Sequence, residues 1–218
     1  MDKPEAITTQ DSTVEQWTTA LAQSTGSPGG GAGAGLMLAI AASLISMVAG
    51  YTDAQEPQAA HVQSLRRRAL KLRQTALRLA DEDASASKAF GAAFHLEPGT
   101  ERETAIKKAS INAARASATL GKHAVIAIDD LEWLAQNGNQ ALISDVVVAL
   151  GSLRATLAGA RTNVSFDLAS STTDDSSMAE LRRQHQDLFA ALREFEAAIK
   201  RLDTIASGID RRAAPTSA

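Results

Sequence analysis

The sequence contains no cysteine, which excludes disulfides, thiolate metal ligands and a cysteine nucleophile. Aromatic residues make up only 4% of its 218 residues, too few for a base-stacking surface. Positive charge is not in excess either. The 22 Lys and Arg stand against 25 Asp and Glu, and the net charge of −3 gives no global drive towards nucleic acid. Met1 to Thr13 lacks the apolar stretch of a secretory signal. Between Glu15 and Asp53 no side chain ionises except Tyr51, and residues 32–48 are largely apolar. That run consists mainly of Ala, Gly and Ser, and no Lys or Arg flanks it as an anchor. A lipid-facing span would be greasier and carry basic or aromatic belts. Small residues suit a helix buried among other helices instead. The expectation is a cytoplasmic protein with no membrane and no nucleic-acid partner.

What is present reads almost everywhere with a helical period. The length suits one domain with a real core. A polar segment (1–10) precedes a single all-α domain (11–207), and a polar tail (208–218) follows it. Ser12 and Glu15 have the spacing of a capping box ahead of Val14, Trp17 and Leu21. Pro28 and the three glycines after it end that helix. A small-residue helix then begins after Gly31 and runs to about Tyr51, and Pro57 fits the first turn of the next. Thr100 and Glu103 have capping-box spacing before Ile106, Ala109, Ala113, Ala116 and Leu120. Val125 to Leu134 predicts a separate helix, stopped at Asn137-Gly138-Asn139. Val146 to Leu157 follows Ser144-Asp145, and Met178 to Leu202 forms the last stripe. The pattern predicts a bundle of about seven helices around a buried small-residue helix.

The clearest stripe carries an anomaly. Val62, Leu65, Ala69, Leu72, Ala76 and Leu79 recur at steps of three and four, and the same count lands on Asp83. Burying a lone carboxylate is costly, so it should be paired or have a raised pKa. The cations from Arg66 to Arg73 fall mostly elsewhere on that helix. Other signatures fail. Gly29 to Gly33 hints at a dinucleotide fingerprint, but no strand precedes it. The four histidines, His61, His95, His123 and His185, are scattered, and none has a second ligand at helical spacing, so no metal site is expected. His185 lies on an apolar stripe and reads as a structural histidine. The glycine turn itself has two readings. It permits close helix packing, or its free N–H groups receive a ligand carbonyl or anion.

Taken in order, four segments are more specific than any one of them. Ser27-Pro28-Gly29-Gly30-Gly31 leads into the small-residue helix, and Asp81-Glu82-Asp83-Ala84 follows. Gly138-Asn139 then precedes Ser144-Asp145, and Gly159-Ala160-Arg161-Thr162-Asn163-Val164 comes last. This series resembles the cyclodeaminase/methenyltetrahydrofolate cyclohydrolase family, the all-helical domain fused to a formiminotransferase in animals. Three positions depart from the family's usual residues. Ala32 replaces a Ser, Ser87 stands where a Phe is usual, and Leu96-Glu97-Pro98 replaces Leu-Pro-Lys.

The resemblance implies a homodimeric folate enzyme with no tightly bound cofactor, whose substrate is a tetrahydrofolate derivative. It would either hydrolyse 5,10-methenyltetrahydrofolate to a formyl product or cyclise 5-formiminotetrahydrofolate with release of ammonia. The resemblance places the catalytic aspartate at Asp83, as acid/base and cation stabiliser. Pro28, Gly29, Gly30, Gly31, Asn139, Asp145 and Asn163 are the expected substrate-binding positions. Asn139 and Asp145 read equally well as helix caps, and Asn163 as a buried hydrogen-bonding residue. The alternative to an enzyme is a catalytically silent bundle that binds a folate-like ligand or a partner protein.

Overall fold

Pro28 and Gly29 lie between the first two helices, and the second begins at Gly30 rather than after Gly31, with Gly29 as its N-cap. The computed structural model describes residues 7–24, 27–171 and 175–213. The start of the N-terminal segment (1–6), residues 25–26 of the glycine turn, Asp174 and the end of the tail (214–218) lie outside them. The described helices are α1 (Val14–Leu21), α2 (Gly30–Gly50), α3 (Gln58–Phe94), α4 (Thr100–Asn137), α5 (Ile143–Ser170), α6 (Asp175–Gln184) and α7 (Gln186–Ala213). A short 3-10 turn, Gln140–Leu142, joins α4 to α5, and no strand occurs among the described residues.

The small-residue helix α2 lies between α3 and α5. Its glycines and alanines let both neighbours approach closely. A Cβ placed on Gly35 would lie 2.7 Å from the Ala80 Cβ of α3, so glycine is needed at that crossing. On the other side the buried Thr156 hydroxyl of α5 donates to the Ala34 carbonyl at 3.0 Å. Such a bond contributes about 1 kcal/mol net. Both neighbours run antiparallel to α2. Gly35 faces Ala80 while Gly50 lies beside Arg66, and Ala34 meets Thr156 while Tyr51 meets Asn139, just before α5. On α4, Asp130 pairs with Arg68 of α3, and α7 closes the bundle with Phe195 on Gly121 and Arg201 on Asp129. The main core takes in Leu38, Ile45, Leu65, Leu131, Leu153 and Phe195.

The helix count agrees with expectation, but the divisions differ. The separate helix expected from Val125 is the second half of a continuous α4, which runs through Gly121-Lys122. Gly121 is there because Phe195 of α7 occupies the space a Cβ would need. Conversely, the single last stripe is broken at His185 into α6 and α7. The His185 carbonyl accepts the Leu188 N–H at 3.0 Å at the start of α7. Both expected capping boxes are also corrected. Thr13 and Gln16 form the box on α1, with Gln16 accepting the Thr13 N–H at 2.9 Å, while Ser12 accepts from Thr8. At α4 the cap is Gly99, whose φ of 151° favours glycine, and Thr100 is already helical.

By length and hydropathy, Gly30–Gly50 and Gln140–Ser170 pass the test for a membrane span. About 61% of the α2 window is covered by the rest of the fold, as expected of a core helix.

Candidate active site

The stripe on α3 reaches its buried acid where α2 begins. Asp83 is 7% exposed, and it lies directly against Gly31, where any side chain would collide with both carboxylate oxygens. The start of α2 has no side-chain cap of its own, because its N-cap is Gly29. The Ala32 N–H donates to Asp83, so an acid from α3 satisfies one of the free amides there. The Ser87 hydroxyl, one turn on, also hydrogen-bonds it. Burial raises the Asp83 pKa, and the two hydrogen bonds oppose that shift without cancelling it.

The first acid of the same motif has a different task. Asp81 accepts the Thr9 N–H at 2.5 Å and the Gln10 amide at 3.2 Å, fixing the N-terminal segment to α3. Trp17 of α1 packs on Ala32 and Ala80, and its indole N–H donates to Thr9 at 3.1 Å. One side of this end of the bundle is therefore closed by the chain's own N-terminal part. Ser27 donates to the Ala84 carbonyl at 3.3 Å, tying the glycine turn to the helix that carries Asp83.

Sequence reading did not find the second acid at this end. Asp167 on α5 is half-buried, and its carboxyl is pushed up to about 6, first by burial and then by the charge of Asp83. Its signal was register. Gly159, 3.4 Å from the Ala34 Cβ, marks the face of α5 that touches α2. Asn163 and Asp167 continue that face by one and two turns.

The structure divides the expected site residues into two groups. Pro28, Gly29, Gly30, Gly31 and Asp83 come together at the start of α2, and Asn163 lies on the α5 face that leads there. Asn139 and Asp145 are at the opposite end. Asn139 accepts the Ala141 N–H at 3.0 Å and donates to the Tyr51 carbonyl at 3.0 Å, locking the α4–α5 connection to the end of α2. Asp145 is in the first turn of α5, where a negative charge suits the helix dipole. Helical rise puts it about 33 Å from Asp167 along α5. A cavity of about 310 Å³ between α3 and α4, lined by Leu72, His123 and Ile126 among others, is also removed from Asp83. Leu72 precedes Asp83 by about 16 Å of helix.

A buried carboxylate on a helix N-terminus, with a second acid coupled to it, is suited to holding positive charge and moving protons. A family model described as formiminotransferase-cyclodeaminase matches residues 13–187. The methenyltetrahydrofolate cyclohydrolase of Methylorubrum extorquens is 32% identical over 178 residues, which span 78% of this chain and 85% of that protein. In fold, the chain resembles formiminotetrahydrofolate cyclodeaminase from Thermotoga maritima, with a TM-score of 0.75 at 21% identity. That likeness covers 92% of this chain and 98% of the other.

Proposed function

The chain belongs to the formiminotransferase-cyclodeaminase family and is an enzyme of its folate one-carbon branch, and on that premise we propose that it hydrolyses 5,10-methenyltetrahydrofolate. The carrying observation is Asp83, buried at the start of α2 and accepting the Ala32 N–H. In the substrate the reacting carbon lies between N5 and N10 in an amidinium cation. A carboxylate fixed beside that carbon stabilises the cation and the transition state that leads from it. Water adds to the carbon, one of its protons passes to a carboxylate, and the C=N π electrons return to nitrogen. One C–N bond then breaks, its electron pair stays on the departing nitrogen, and the stored proton goes to that nitrogen. The new hydroxyl loses its remaining proton to solvent and becomes the formyl carbonyl. The sum is substrate cation plus water giving formyl product plus one proton.

The hydrolytic reaction is preferred over cyclodeamination because the likeness to the cyclohydrolase is 32% identity across 85% of that protein, against 21% identity to the cyclodeaminase. In the glycine turn, Gly29, Gly30 and Gly31 offer backbone N–H groups beside Asp83 for the folate ring, Pro28 shapes the turn without a donor of its own, and Asn163 offers an amide from α5. Asn139 and Asp145, at the other end, serve this subunit as structural residues.

We further propose a homodimer. Met37, Ile40, Met47 and Tyr51 of α2 are exposed, in a helix without a charged residue. Met47 and Tyr51 share a surface groove with Leu70, bordered by Arg66 and Arg73. A second copy covers this face in the proposed assembly.

Turnover of the two folates decides the reading. Loss of methenyltetrahydrofolate absorbance above the uncatalysed rate, with little ammonia from 5-formiminotetrahydrofolate, supports hydrolysis. The reverse preference makes the chain a cyclodeaminase. If neither substrate turns over, the protein is a catalytically silent binding bundle.

A further inference from the structure

The chemistry above asks for a group to hold charge and a group to carry a proton, and only one catalytic acid, Asp83, was expected from the sequence. We infer that Asp167 is the second carboxylate of this site and takes up and returns the proton, leaving Asp83 to hold the positive charge of the substrate. This rests on the proposed hydrolytic reading and divides its labour between two residues.

The geometry is set by the packing of α5 on α2. Thr156 and Gly159 fix the antiparallel register at Ala34. From Gly159, Asp167 is eight residues further along the same face, about 12 Å of helical rise. Ala34 is only three residues from Gly31, so that distance carries Asp167 past the first turn of α2 and over the glycine turn. Asp83 reaches the same end from α3. The two acids thus flank the start of α2 from the helices on either side.

Their surroundings differ in a way that assigns the roles. Asp83 is more deeply buried and held by the Ala32 N–H and the Ser87 hydroxyl, both of which favour its charged form. At Asp167, which is less deeply buried, burial and the Asp83 charge both raise the pKa. The two hydrogen bonds thus favour a charged Asp83, while the Asp167 carboxyl is pushed up to about 6, near the range where a proton carrier works best.

The other charges at this level do not reverse that order. Helix α2 contributes none. Helix α3 contributes Asp81, which is held by Thr9 and Gln10, the exposed Glu82 paired with Arg78, and beyond Asp83 the exposed Lys88, while α5 adds the exposed Arg161. The nearest candidates by register are Arg115 on α4 and Asp187 and Arg193 on α7, all exposed and screened by solvent.

In balanced form, the Asp167 carboxylate accepts one proton of the attacking water as the C–O bond forms. It returns that proton to the nitrogen that leaves when the C–N bond breaks, and the carboxylate is regenerated.

The test is the pH profile of methenyltetrahydrofolate hydrolysis by wild type, Asp167→Asn and Asp167→Glu, with folding checked by circular dichroism. Wild type should show an acid limb with a midpoint near 6. In Asp167→Asn, kcat should fall by about 100-fold or more and the limb should vanish, with KM changed far less. Asp167→Glu should recover part of the rate together with a limb. An active wild type whose Asp167→Asn variant keeps both kcat and the limb overturns this inference alone. A folded wild type that turns over neither folate overturns the hydrolytic reading and this inference together.

Discussion

The Asp83 carboxylate occupies the space that a side chain at Gly31 would fill. The turn glycine and the buried acid, 52 positions apart in sequence, are two halves of one feature. Gly31 exposes the first amides of α2, and Asp83 arrives from α3 to receive one of them.

Gly31→Ala separates function from folding. The atoms nearest the new methyl group are the far end of the Asp83 side chain, so the carboxylate is displaced from its two hydrogen bonds while the backbone keeps its place. The variant should keep its helical circular dichroism, with Tm lowered by about 2–4 °C per kcal/mol of strain. Its turnover of methenyltetrahydrofolate should fall by at least about tenfold, a loss of about 1.4 kcal/mol of transition-state stabilisation. Gly35→Ala makes the contrast. It pushes against the Ala80 Cβ and backbone, and overpacking of that kind costs about 1–3 kcal/mol. Equilibrium denaturation should show the larger stability loss for Gly35→Ala.

Asp167→Asn should stabilise the fold at neutral and higher pH. The folded carboxyl is pushed up to about 6 from 3.8. Between those values the native state keeps a proton that the unfolded chain has released. Stability contributed by this proton is therefore lost as pH rises, and the penalty is complete above about 6. Solvent screens part of it at a half-buried site. A rise in Tm of about 2–4 °C is expected at pH 8, with no rise near pH 3.5. An equal shift at both pH values would show that ionisation of this buried carboxyl is not the cause.

The exposed apolar face of α2 predicts self-association. Light scattering on a sizing column should give twice the chain mass of 22.8 kDa. Ile40→Glu should yield a monomer, because it puts a charge into the uncharged face of α2. A wild-type monomer at micromolar concentration would remove the dimer.

Legibility varied with the kind of signal. The α3 stripe was readable because seven positions step by three and four, and it placed Asp83 correctly on the buried side. The ends of helices were harder. Thr13 rather than Ser12 caps α1, since neighbouring Ser and Thr are equally good caps and only tertiary contacts choose between them. The separate helix expected from Val125 is part of a continuous α4, and the reason for a glycine within it at Gly121, the Phe195 ring, lies 74 residues away on α7. Asp167 follows the exposed Phe166 and belongs to no acidic motif, so a local reading takes it for a solvated residue. Its place beside Asp83 depends on how α5 packs on α2, which Gly159 and Thr156 determine through a helix far away in sequence.

The most direct test is Asp83→Asn, a change that keeps size and one acceptor oxygen for the Ala32 N–H but removes the charge. Its kcat for methenyltetrahydrofolate hydrolysis should be at least about 100-fold below wild type, while its circular dichroism is unchanged and its Tm is equal or higher. A folded Asp83→Asn protein that hydrolyses the substrate at the wild-type rate would contradict the account.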